Sequence, residues 1–350
     1  MKPIAATGLL VTVVAGGLLV VGQVGDSLTT SRATVEESST GPARADLTVV
    51  ARKASSDEAA AALRARYVYH TKSGLTVTTG DGEESETIGL PDAQPGFERG
   101  LVGASHKVLV FVGSSVLIVD PRQPQADPIA VSGISGHIMA SDSGIWIAAP
   151  TSEPDRTWRL LDWQGMPVGP TAVLPGAALL FDSTTDGVVA LIRETGEIVV
   201  TRPGGTTHVG SGVPLAGNAS KVVFLQNTST VVEYDLASAR TRELGSLGST
   251  FAAQTIGAAA ISPDGTRLAI ASKTGPPYEL GDVVVVDLSR AEPAPMTALH
   301  GVSGTRVQWL SDSDSLVVSG HGHATVTSVT TGASTRINAP LGIEIFPLND

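Results

Sequence analysis

From Tyr67 onward the chain is a succession of short apolar runs, rich in β-branched residues and separated by Gly, Asp, Ser and Thr. Runs ending in Asp or Thr and followed by a turn recur every 35 to 50 residues or so: SVLIVDP (115–121), WRLLDWQG (158–165), EIVVTRPGG (197–205), TVVEYDLAS (230–238), VVVVDLSR (283–290) and ATVTSVTTG (324–332). Another apolar run precedes each, such as KVLVFVG (107–113), GIWIAAP (144–150) and KVVFLQN (221–227). A small-residue segment lies ahead of that run, and a more polar one closes the unit. Runs this short, bounded by turn residues, predict strands rather than helices. Four strands per unit at a period near 40 describe a propeller blade, which has two apolar faces and buries them only against neighbouring blades.

The spacing predicts six complete blades over 97–132, 133–175, 176–211, 212–249, 250–300 and 301–338. The remainders complement one another. YVYHTK (67–72), LTVTTGD (75–81) and SETIGLP (85–91) supply three strands, and LGIEIFP (341–347) supplies a fourth. Together they predict a mixed N-/C-terminal closing blade, so the expected fold is an all-β, seven-bladed β-propeller over 67–350. Closure removes the open edge that an incomplete ring would leave.

The N-terminal segment reads differently. From Ile4 to Val24 no side chain is charged, and as a helix this length spans roughly 30 Å, the thickness of a bilayer core. Lys2 precedes it and Asp26 follows, which puts the N-terminus in the cytoplasm and the rest outside. Glycines 22 and 25 make poor cleavage sites. The expectation is therefore a single-pass membrane anchor over 1–24, with cleavage and secretion as the alternative. Residues 25–66, rich in Ser, Thr, Gly and mixed charge, show no sustained period and are expected to be a flexible tether, with AAAALRAR read as a spacer and a short capped helix there as the alternative.

One turn carries a resemblance. ISPDGTRLAIAS (261–272) is similar to the Ser-Pro-Asp-Gly signature of the TolB-like, or WD40-like, β-propeller repeat, in which Pro263 presets φ, Asp264 caps backbone amides and Gly265 takes positive φ. VQWLSDSDSLVVSG (307–320) is a worn copy, and FDSTTDGVVALI (181–192) keeps only the frame. The resemblance implies a bacterial propeller of a group whose members mostly bind proteins, peptides or glycans.

Composition narrows the chemistry. The net charge of −11 lacks any basic run, which excludes nucleic acid as a partner. The absence of Cys excludes disulfides and thiolate chemistry. No nucleophile elbow, zinc-protease helix or phosphate-binding loop occurs in the sequence, and four Trp are too few for a cofactor-docking repeat. Asp120, Asp162, Asp235 and Asp287 end third strands, where Asp is an ordinary turn former. No catalytic residue, cofactor or metal ligand set is assigned. The function expected is a binding, scaffold or sensor module, and a small propeller hydrolase or lyase with its site at the channel mouth is the alternative.

In such a fold the loops joining second to third strands, and each fourth strand to the next blade, share one face. APTSEPDRT (149–157) and SKTGPPYELGD (272–282) are expected there as the longest inserts. His70, Tyr278, Glu279, His300, His321 and His323 fall on the same face of neighbouring blades and form the candidate binding face. Gathered imidazoles can hold a divalent metal, sense pH or meet an acidic partner, but a His-x-His spacing alone does not specify any of these.

Overall fold

The computed structural model describes residues 48–52, 64–71, 74–80, 85–90, 101–104, 107–112, 115–132, 134, 138–141, 143–148, 155–175, 178–183, 187–202, 205–247, 256–275, 279–290, 297–299, 306–320, 322–338 and 345–348. Their strands form seven separate antiparallel sheets. Six take consecutive quartets of strands, spanning 101–132, 138–175, 178–211, 213–246, 256–299 and 306–338, and are blades one to six. The seventh orders Ile345–Leu348, Arg66–Thr71, Gly74–Thr79 and Ser85–Gly89 side by side. This is the mixed closing blade expected from the sequence, with the C-terminal run as its first strand.

From blade one to blade six the first strand of each blade touches the first strand of the next. Residues 345–348 touch both blade six and blade one, which closes the circle. The chain is a seven-bladed β-propeller.

Burial explains why its strands read as unbroken apolar runs. Seven hydrophobic clusters fill the seven junctions between neighbouring blades. Successive residues of one strand serve different junctions, because side chains alternate across a sheet. In blade two, Ile145 and Ile147 pack toward blade one, while Trp146 and Ala148 pack toward blade three. Val223 and Leu225 of blade four face blade five, and Val222 and Phe224 face blade three. With both faces dry, the alternation of a half-exposed sheet disappears.

Two expectations are corrected. The stretch read as a flexible tether contains a strand, Thr48–Arg52, paired antiparallel with the outer strand of blade six, Ser334–Asn338. Five residues of edge strand are too few for a period to stand out in sequence. The 272–282 insert is mostly strand as well: Arg267–Gly275 and Glu279–Asp287 run nine residues each and pair through to Gly275 and Glu279. The expected anchor over 1–24 lies outside the described residues, as do residues 59–63 of AAAALRAR; at the end of that stretch Arg64 is helical and Arg66 already begins the strand Arg66–Thr71.

Candidate binding face

The two faces of the disc are built differently, and the difference starts in local turn chemistry. On one face the turns join first to second and third to fourth strands. Here the four strand-end aspartates act as turn formers. Asp120, Asp162, Asp235 and Asp287 each accept a hydrogen bond from the backbone N–H two residues on, at 2.9–3.1 Å. Ser238, through amide and hydroxyl, holds the Asp235 carboxyl below the usual carboxylate range, and the Ser289 hydroxyl does the same for Asp287.

The Ser-Pro-Asp-Gly turn works as its residues suggest. The Gly265 N–H donates to Ser262 O at 2.8 Å with Gly265 at φ 72°. Asp264 accepts from the Ser262 hydroxyl (2.6 Å) and from the amide and hydroxyl of Thr266 (3.0 and 2.8 Å). Burial pushes the Asp264 carboxyl up, and hydrogen bonds from Ser262 and Thr266, with a contribution from Ser313, outweigh it and bring it below its ordinary value. The worn copy in blade six keeps the same geometry: Leu310 N–H donates to Ser315 O (2.8 Å) and Ser313 N–H to Leu310 O (3.1 Å). Ser313 stands at φ 55° in the place of the glycine.

These turns also join blade to blade. The Gly217 amide donates to Asp182 of blade three at 2.6 Å. Lys221 of blade four donates to Gly265 O of blade five (3.2 Å) and pairs with Glu233 (3.1 Å). Arg242 also pairs with Glu233 (3.0 Å) and donates to the carbonyls of Leu288 (2.7 Å) and Arg290 in blade five. The Asp264 amide donates to Ser313 Oγ of blade six at 3.1 Å. Much of the polar chemistry of this face is thus spent within the ring. None of these ties was legible in the sequence, because each partner lies in a different repeat.

On the opposite face the second-to-third-strand hairpins include an outgrowth. In blade five the first strand pairs only as far as Ser272 and the fourth only over Val283–Val285. Lys273 pairs with Leu280 and Gly275 with Glu279, beyond the four-stranded sheet, with register shifts on both sides of Lys273. Residues 273–275 and 279–282 therefore form a two-stranded ribbon that extends past the four-stranded part of the blade.

Of the candidate residues, His70 lies next to the hairpin end of its strand in the closing blade, Glu279 begins the third strand of blade five, and His323 begins the third strand of blade six opposite Gly320. Connectivity puts these three backbone positions on one face. The His323 side chain is half-buried. Tyr278, His300 and His321 lie outside the described residues. Among the described residues no three His, Asp or Glu side chains gather as a metal site.

No family model matches the sequence, and no curated protein does. Similar solved structures include TolB from Acinetobacter baumannii, with a TM-score of 0.47 at 12% identity over 83% of this chain and 68% of that one. They also include Saccharomyces cerevisiae Sqt1, at 0.49 and 12% over 81% and 92%, respectively. Apo AztD from Citrobacter koseri gives 0.43 and 12% over 81% and 98%.

Proposed function

We propose that this chain is a membrane-tethered, extracytoplasmic propeller that binds a protein, peptide or envelope polymer on its hairpin face. The observation that carries this reading is the blade-five ribbon. Among the described residues this ribbon extends past the four-stranded sheet of its blade, as the pairing of 155–157 with 173–175 does in blade two, and binding residues concentrate on such projections from a closely packed scaffold. The opposite face supports the choice by contrast, since Asp120, Asp162, Asp235 and Asp287 are engaged in turns and Lys221, Arg242 and Arg267 in blade-to-blade bonds. The uncharged stretch from Ile4 to Val24 supplies the anchor in this reading, and 25–47 the slack between membrane and ring.

Site-specific photo-crosslinking in intact cells tests the face. A photoreactive residue at Glu279 is expected to yield an adduct, and one at Asp127, exposed in the 120–128 connection of the opposite face, none. Adducts from 127 alone would reverse the assignment, and none from either would remove the binding reading. Membrane fractionation with N-terminal sequencing tests the anchor; a soluble species starting between residues 23 and 30 overturns it.

A further inference from the structure

The outer strands of the ring differ in how they are kept from pairing with other chains. An outer strand carries a row of free backbone donors and acceptors, and proteins blunt it with shortness, charge, proline or bulges. Blades one and five end in strands of four and three residues, Ile129–Ser132 and Thr297–Leu299. The outer strand of blade two, Pro167–Pro175, contains Pro167, Pro170 and Pro175, and proline removes ladder donors. Blades three and four break register where their third and fourth strands pair, and the closing blade carries exposed Glu86 on its outer strand. Blade six has neither proline nor a register break there, and its outer strand shows a single exposed charge, Arg336. Ser334–Asn338 pairs in unbroken register with His323–Ser328, contains no proline, and is covered on its free side by Thr48–Arg52.

We infer that the outer edge of blade six is a strand-acceptor site, filled in the resting protein by the chain's own residues 48–52 and able to take an extended, β-branched peptide of the same chemistry in their place. Every one of the five residues has a partner on Ser334–Asn338, from Thr48 opposite Asn338 to Arg52 opposite Ser334. Such pairing draws its affinity from main-chain hydrogen bonds, which any extended peptide offers. Among the described strands the occupant pairs with Ser334–Asn338 alone, and the chain continues from it to the closing blade through residues 53–65, so its loss leaves the four-stranded blade intact. The resident strand competes from an effective concentration on the order of millimolar, so an outside peptide binds well only when the resident strand is released.

The test uses the full chain and a labelled peptide of residues 46–54, ADLTVVARK. Adjacent amides point to opposite sides of a strand, so replacing both Val49 and Val50 with Pro removes a donor facing blade six whichever of the two faces it. The V49P/V50P chain is expected to bind the peptide at least about tenfold more tightly than the unmodified chain, as release of a millimolar internal competitor requires. The same peptide carrying both prolines is expected not to bind. No binding by V49P/V50P, or equal binding of both peptides, overturns the inference. A second measurement does not require V49P/V50P to fold. The chain has no Cys, and Val50 lies opposite Arg336, so V50C/R336C should close an internal disulfide that V49C/R336C does not. Full-chain R336C should likewise capture the peptide with Cys at position 50 in preference to position 49. Indifference to register in both formats overturns the inference.

Discussion

Arg267 of blade five donates to Asp314 of blade six at 2.6 Å and also reaches the carbonyl of Ser313 at 3.2 Å. It thereby joins the turn that keeps the Ser-Pro-Asp-Gly motif to the turn that has lost it. Asp314 further accepts from the hydroxyls of Ser328 (2.7 Å) and Thr330 (2.5 Å). Burial raises the Asp314 carboxyl, and these hydroxyls with Arg267 outweigh it, leaving the group below its ordinary value.

That depression sets an acid dependence. A carboxylate with a lowered folded-state pKa adds stability above its unfolded value of about 3.9, and the contribution is lost as pH falls through the folded value. The protein should therefore lose stability as pH drops below about 4, in part through Asp264 and Asp314. Denaturant midpoints between pH 3 and 7 should show a shallower acid slope for Asp264→Asn and Asp314→Asn. Identical slopes would remove both groups from the acid response.

The indole of Trp309 is buried and donates to Ala260 O of blade five at 2.9 Å. Trp309→Phe leaves that carbonyl without its donor and opens a small gap, so the expected loss is about 1–3 kcal/mol. Chemical denaturation measures it, and a loss below about 0.5 kcal/mol, the low end for a net hydrogen bond, would show the bond contributes little.

Ala239 holds φ 56° in the turn after the third strand of blade four. A left-handed conformation costs an L-residue roughly 1–2 kcal/mol, more than the added chain entropy of glycine. Ala239→Gly should stabilise the protein by about 0.5–1 kcal/mol after that entropy is subtracted. A lower melting temperature would contradict this.

Ile345–Leu348 is the first strand of the closing blade and Leu348 is buried in its junction with blade one. Deleting 345–350 strips an inner strand, and aggregation or loss of cooperative unfolding should follow. An unchanged melting transition would mean that the ring does not need this strand.

The blades, their number and the closing remainder were legible in the sequence because a strand buried on both faces must be apolar throughout and a turn must carry Asp, Gly or Pro. Those are demands made by local geometry, and ISPDGTRLAIAS meets them residue by residue. The strand at Thr48–Arg52, the ribbon inside 272–282 and the ties of Arg267, Lys221 and Arg242 were decided only by the tertiary structure. Edge pairing uses backbone groups common to nearly every residue, so its partner leaves no mark on the side chains. The cations reach acceptors in the next repeat, and only the closed ring brings those repeats within hydrogen-bond distance.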